Sequence, residues 1–204
     1  MSDIMKFIIA TNNAKKLVEL ERILSPLGID AVSPKDAGVN LGDVDENGST
    51  FKENSFIKAE AACRKTGLPA IADDSGICVD FLGGGPGIYS ARFAGEEASD
   101  TDRNDLILEK LDGVKERGAH YTCAITCVFP NGDSLQVEGK CFGEIALEPD
   151  GEHGFGYDPI FLYEGKSFGN YSDEEKDKVS HRGIALRMME KELRKYLEEN
   201  YADK

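Results

Sequence analysis

Two adjacent carboxylates follow apolar residues in Ala70-Ile71-Ala72-Asp73-Asp74-Ser75-Gly76. Neighbours on a strand point to opposite faces, so one of the pair faces a given cleft and the other serves the structure. A carboxylate at a strand end can take a proton from water, or it can hold Mg²⁺, whose octahedron uses one or two protein carboxylates with water and phosphate oxygens. A plain turn is the competing reading of the same residues. A further carboxylate could come from the acidic loop Asp43-Val44-Asp45-Glu46-Asn47-Gly48, where Gly48 permits a sharp turn ahead of a helix. The loop lacks EF-hand spacing, and a solvated loop is its alternative.

Two other groups carry complementary chemistry. Thr11, Asn13 and Lys16 lie where a strand ends and a helix begins. The unpaired N–H groups and positive dipole of a helix N-terminus attract phosphate, so these residues could hold a triphosphate tail, or could simply cap the helix. In Gly154-Phe155-Gly156-Tyr157-Asp158, a ring between glycines suits stacking on a purine, and Asp158 offers an acceptor to a base or ribose. Lys176, His181 and Arg182 add donors for an oxygen-rich ligand, against the alternative of a core phenylalanine and a basic helical turn. The run 83–87 (GGGPG) has neither a following Lys-Ser or Lys-Thr nor GxGxxG spacing, and reads as a turn from which Arg92 emerges.

These groups require an alternation of strands and helices to place them. Residues 6–11 read as a strand, followed by a helix capped by Asn12 and Asn13 with Leu17, Leu20, Leu24 and Leu27 on its apolar face, ended by Pro26 and Gly28. A short strand is expected at 30–34 and a loop at 38–49. Thr50 and Glu53 have capping-box spacing for a helix running to Gly67. Strand segments are expected at 70–74 and 77–81 and a helix at 102–111. Strands at 121–129 and 134–145 flank the hairpin signal Pro130-Asn131-Gly132-Asp133. A strand at 158–163 and a helix at 180–200 complete the chain. The expected fold class is α/β, with a mixed central β-sheet flanked by helices and two closely packed lobes with the active-site cleft between them. Residues 1–204 are read as one domain.

The charge balance narrows the ligand. With 24 basic against 38 acidic residues the net charge is −14, which repels polyanions at long range and argues against nucleic acid as a partner. A small polyanion can still bind where lysines, arginines and a divalent cation reverse the field locally. No apolar run approaches the roughly 18 residues that cross a bilayer, so no membrane partner is expected, and a cytoplasmic location is. Five cysteines without a CxxC pair read as reduced, buried thiols.

Read together and in order, ATNNAKK, TFKENSFIKA, IADDSG, LGGGPGIYSARF, GFGYDPIF and EEKDKVSHRG resemble the inosine triphosphate pyrophosphatase family over nearly the whole chain. The resemblance implies hydrolysis of ITP, dITP and XTP to monophosphate and pyrophosphate with Mg²⁺, by a homodimer. It implies that Thr11, Asn13 and Lys16 belong to the triphosphate turn, that Asp74 accepts the proton and that Ser75 contacts substrate. Phe155, Gly156, Tyr157, Asp158, Lys176, His181 and Arg182 would surround the nucleotide, and Lys58 would lie near the phosphates. Lys16, Lys58 and Lys176 would together hold the phosphate chain. Glu46, with Asp45 as competitor, would join Asp74 on the metal. Asn12 departs from the glycine that bacterial relatives often carry, though asparagine tolerates left-handed geometry. The alternatives are a Maf-like pyrophosphatase for other modified nucleotides and a non-catalytic nucleotide sensor.

Overall fold

A computed structural model describes residues 5–11, 13–42 and 44–201. The cap expected of Asn12, its departure from glycine, and Asp43 of the acidic loop lie outside the described residues. The chain runs β1 (Met5–Ile9), α1 (Ala14–Leu24), β2 (Ile29–Val32), α2 (Phe51–Thr66), β3 (Ala70–Val79), β4 (Gly85–Pro86) and α3 (Asp100–Lys110). It continues through β5 (Gly118–Val128), β6 (Ser134–Ile145), β7 (Phe161–Tyr163), β8 (Lys166–Ser167), α4 (Asp173–Val179) and α5 (His181–Tyr201). The strands form one sheet of order β2-β1-β3-β5-β6-β7-β8, with β4 paired to β3. β1 is parallel to β2 and β3, whereas β3–β4, β6–β7 and β7–β8 are antiparallel. The expected mixed sheet with helices is therefore what this chain forms.

The chain divides into two compact units. The first comprises Met1–Asp74, Ala124–Glu138 and Ala185–Lys204. Its core sets the small side chains Ala59, Ala62 and Cys63 of α2 against Ile8, Ala70 and Ala72, so the helix can lie close to the strands. Phe129 meets Phe7 edge-on at 5.9 Å and stacks on Tyr196 of α5 at 4.1 Å. The second unit comprises Ser75–Cys123 and Gly139–Ile184, with Ile77, Ile107, Leu111, Tyr121, Phe161 and Phe168 in its core. All five cysteines are buried and unbridged, as expected. Among the described residues no helix is long and apolar enough to cross a membrane.

Several elements depart from expectation for local reasons. The two segments expected around Asp73-Asp74-Ser75-Gly76 are one continuous strand, β3. Gly76 does not turn the chain; it admits the Gly87 carbonyl and the Ser90 hydroxyl, which a Cβ would strike. Residues 85–86 of the glycine run pair as β4 with Cys78 and Val79. Residues 158–160 form a 3₁₀ turn around Pro159, so the strand expected from 158 begins at 161. α3 starts earlier than expected because Ser99 caps it in a reciprocal box with Asp102. The Thr50 side chain accepts from the Glu53 N–H, but the Glu53 carboxylate reaches Ser49 rather than completing the box on Thr50. α4 was not expected: its DEEKDKV sequence has no apolar period, although Ser172 and Glu175 cap it reciprocally.

Arg117, at the entry to β5, holds the second unit together where α3 and β6 end. Its guanidinium donates to the carbonyls of Leu111 (2.8 Å), Ile145 (2.8 Å) and Ala146 (2.6 Å). A lysine offers a point charge and cannot reproduce this planar fork. Arg117→Ala is expected to destabilise the chain by about 3 kcal/mol, which lowers Tm by roughly 6–12 °C at this chain length. Thermal denaturation followed by circular dichroism checks this, and an unchanged Tm would show that the fork carries no net stability.

Candidate active site

The first unit gathers acids and lysines around the end of β1 and the middle of β3. At the start of α1, Thr11 Oγ1 accepts from the Asn13 N–H (3.1 Å) and Asn13 Oδ1 from the Lys16 N–H (3.4 Å), so both side chains serve the helix end. Lys16 Nζ pairs with Asp73 Oδ2 at 2.7 Å, and Asp73 is buried. Asp74 has other partners: Asn54 Nδ2 donates to its Oδ2 (3.2 Å), and Lys58 Nζ lies 3.5 Å from its Oδ1. The adjacent aspartates are thus taken up by different helices, α1 for Asp73 and α2 for Asp74.

Lys58 also pairs with Glu46 Oε2 at 2.8 Å, so one ammonium is shared by the two carboxylates expected to hold metal. Asp45 is exposed, and its carboxylate accepts from Asn47 Nδ2 at 3.4 Å. Asn54 was not anticipated. Buried on α2, it accepts from the Gly48 N–H (2.9 Å) while donating to Asp74, and so ties the acidic loop to β3. Its spacing of four from Lys58, which places both on one helical face, was the available signal. Burial pushes the Asp74 carboxyl above its ordinary value, against the lowering by Lys58 and by the Asn54 bond. For Lys58 burial acts to lower the pKa, but Asp74, Glu46 and Asp73 outweigh it and hold the ammonium charged.

Among the described residues three carboxylates therefore meet two ammonium groups here. The surplus is negative, which suits a cation and not a bare phosphate. Among the described residues no three His, Cys, Asp or Glu side chains cluster as a metal cage. A pair of hard oxygen donors is what Mg²⁺ ordinarily takes from a protein, the remaining positions going to water and phosphate.

The second unit collects rings and cations. Asp158 is buried; its Oδ2 accepts from the Phe155 N–H (2.8 Å) and from Lys176 Nζ (2.5 Å), and its Oδ1 from the Tyr121 hydroxyl (3.4 Å). Gly154 (φ 82°) permits this loop, since a Cβ there would strike the Asp158 carboxylate. Lys176 Nζ lies 4.9 Å from the Phe155 ring centroid and the Arg182 guanidinium 5.7 Å from it. Lys176 thus stands beside the Phe155 ring with Asp158 as its ion partner. Arg182 also donates to Ser75 Oγ at 3.2 Å.

His181 stacks on Tyr121 at 4.5 Å with planes 7° apart. Tyr121, which no local pattern marked, therefore touches both His181 and Asp158. Tyr157 points into the core and donates its hydroxyl to the Ser90 carbonyl (2.6 Å), and burial pushes its pKa up to about 12. Gly156 takes part through its backbone. Arg92 is exposed, its guanidinium 5.1 Å from the Tyr89 ring centroid.

Known proteins resemble this chain over most of its length. A sequence model described as the Ham1 family matches residues 7–192. The chain is 47% identical over 191 residues to a dITP/XTP pyrophosphatase of Exiguobacterium sp., covering 93% of this chain and 97% of that protein. It is 46% identical over 198 residues to a dITP/XTP pyrophosphatase of Streptomyces avermitilis, covering 94% and 98%. Among solved structures, a HAM1 protein from Coxiella burnetii superposes with a TM-score of 0.87 at 38% identity, over 94% of this chain and 99% of that one. The match runs through both sets of site residues, and the chain belongs to the Ham1 family.

Proposed function

We propose that this chain hydrolyses deaminated purine nucleoside triphosphates, ITP, dITP and XTP, to the monophosphate and pyrophosphate, with Mg²⁺, and so clears them from the nucleotide pool. The observation that carries the reading is the sharing of Lys58 by Glu46 and Asp74, a carboxylate pair of net negative charge beside the start of α1. The dITP/XTP pyrophosphatase relatives, similar over almost their full length, support the substrate class.

Glu46 and Asp74 would hold Mg²⁺, with Asp45 left in solvent. Bound there, the ion would supply charge neutralisation at phosphate oxygens, which would favour attack on the anhydride. Thr11, Asn13 and the helix end behind them offer donors to the phosphates, while Lys16 and Lys58 supply positive charge that can be exchanged from their carboxylate partners. Asp74 accepts the proton of the attacking water.

Phe155 stacks on the base, held by the bond from its own N–H to Asp158. Asp158, its oxygens engaged, acts by placing Lys176, and Tyr157 acts by anchoring the loop that includes Gly156. Ser75, Lys176, His181 and Arg182 face the polar edges of the nucleotide. Inosine and xanthosine present a carbonyl at position 6 where adenosine presents an amino donor. A donor from His181 or Arg182 pairs with the carbonyl and is left unmatched by ATP, and a mismatch of this kind can discriminate by roughly 10⁴. Residues 1–204 would work as one catalytic domain, as a homodimer in the cytoplasm, where the five unbridged thiols suit a reducing compartment.

Pyrophosphate release from ITP, XTP, GTP and ATP, with and without Mg²⁺, tests the reading directly. Metal-dependent release from ITP and XTP is expected; release from none of the four would overturn it in favour of a sensor or a different modified nucleotide. Asp74→Asn should lower kcat by about 10²–10⁴ with an unchanged circular dichroism spectrum, and a near-wild-type rate would remove Asp74 from the mechanism. Glu46→Gln should raise the Mg²⁺ concentration for half-maximal rate by about tenfold or more, whereas Asp45→Asn should leave it unchanged; the reverse pattern would give the ligand role to Asp45. In the double variant His181→Ala with Arg182→Ala the preference for ITP over ATP should collapse, and full retention would assign base selection elsewhere.

A further inference from the structure

Helix α3 contributes no side chain to either set described above, yet its first turns end on the backbone of the loop that carries Phe155. Asp100 Oδ2 accepts from the Gly156 N–H at 2.7 Å, and Asn104 Nδ2 donates to the Gly156 carbonyl at 3.1 Å. The donor and the acceptor of one loop residue are thus both taken by side chains one helical turn apart. Asn104 is 5% exposed, and its Oδ1 is buried with no hydrogen-bond partner among the described residues. Reversing the amide would set that oxygen against the Gly156 carbonyl, so the bond to Gly156 decides its orientation. A buried acceptor left unmatched is costly, and its retention points to a gain elsewhere.

The helix end that makes this clamp is itself held. Ser99 and Asp102 cap it reciprocally. Arg103 pairs with Asp100 and donates to the carbonyls of Ala98 (2.5 Å) and Ala91 (3.1 Å). The next loop residue, Tyr157, reaches back to the Ser90 carbonyl. Residues 90–104 and 155–157 therefore brace one another on both sides of Gly156. Phe155 precedes that fixed point by one residue and Asp158 follows by two, so the height of the ring and the place of the Lys176 partner both follow from it.

We propose that Asp100 and Asn104 are positioning residues for base recognition, resting on the purine triphosphate reading above: by holding Gly156 at both its N–H and its carbonyl they present the Phe155 ring to the base. They belong to the second unit, whereas Glu46 and Asp74 belong to the first, so their loss should weaken binding of the nucleotide and spare the chemical step. When chemistry is slow relative to dissociation this appears in KM and not in kcat.

The test uses the full chain, with KM and kcat for ITP and ATP measured separately, inhibition by inorganic tripolyphosphate as a reading of the phosphate end alone, and Tm recorded throughout. Asp100→Ala and Asn104→Ala should each raise KM for ITP about five- to tenfold, the worth of one lost hydrogen bond, with kcat and tripolyphosphate inhibition near wild type. Asp100→Asn, whose amide oxygen can still accept from the Gly156 N–H, should restore the wild-type KM. A fall of kcat and tripolyphosphate affinity in step with KM, or no rescue by Asp100→Asn, would reduce the pair to a general structural role and overturn the proposal, as would an unchanged KM. Absence of turnover of both ITP and ATP by the wild-type chain would overturn the purine triphosphate reading and the assignment with it, and it is recognised in wild type alone.

Discussion

Lys58 stands between two carboxylates that could not otherwise be kept close together out of water. Its side chain is 17% exposed and that of Asp74 15%, while Glu46 on the loop is more open. Burying an ion costs several kcal/mol unless a partner of opposite sign repays it, and two carboxylates near one another add repulsion to that cost. One ammonium shared by both offsets the two penalties together. The same residue fixes the geometry, because it rises from α2, and α2 is seated by alanines and a cysteine small enough to let it approach β1 and β3. Asn54, one turn earlier on that helix, ties Gly48 of the acidic loop to Asp74. The helix thus organises the loop, the strand and the charge.

A lysine that balances two acids also prepares the exchange that the proposed reaction needs. Among the described residues three carboxylates face two ammonium groups, which leaves a negative surplus. With Mg²⁺ held by Glu46 and Asp74, as proposed, Lys16 and Lys58 would be able to turn from carboxylate to phosphate without leaving a buried anion unpaired. On that proposal, attraction for a polyphosphate would be local and metal-dependent in a chain whose net charge is −14.

The second unit solves a different problem, that of holding an aromatic ring at a fixed height beside two cations. Its means are hydrogen bonds to backbone rather than apolar packing. Asp158 receives the Phe155 N–H, α3 receives both polar groups of Gly156, and Tyr157 anchors to the Ser90 carbonyl. Asp158 also pairs with Lys176, so one buried carboxylate joins the loop to α4. The tyrosine that looked like part of the pocket lies in the core.

Legibility in the sequence followed the range of the interaction. Residue types and short spacings determined the helix at Thr50, the hairpin around Asn131-Gly132, the mixed alternation of strands and helices, and which residues carry chemistry, because capping, turn geometry and side-chain chemistry act over a few positions. Tertiary structure decided how those residues are used. That Asp73 goes to α1 and Asp74 to α2, that Glu46 and not Asp45 meets Lys58, that Lys176 belongs with Phe155, and that Gly76 marks a close approach inside one strand all depend on atoms brought together from distant positions. α4 was missed because its end is specified by Ser172 and Glu175 while its charged turns have no apolar period. The sequence by itself determined the chemistry available to this protein; the division of that chemistry between ligand and frame came from packing, which alone decides which polar groups are left facing outward after the buried ones have been paired.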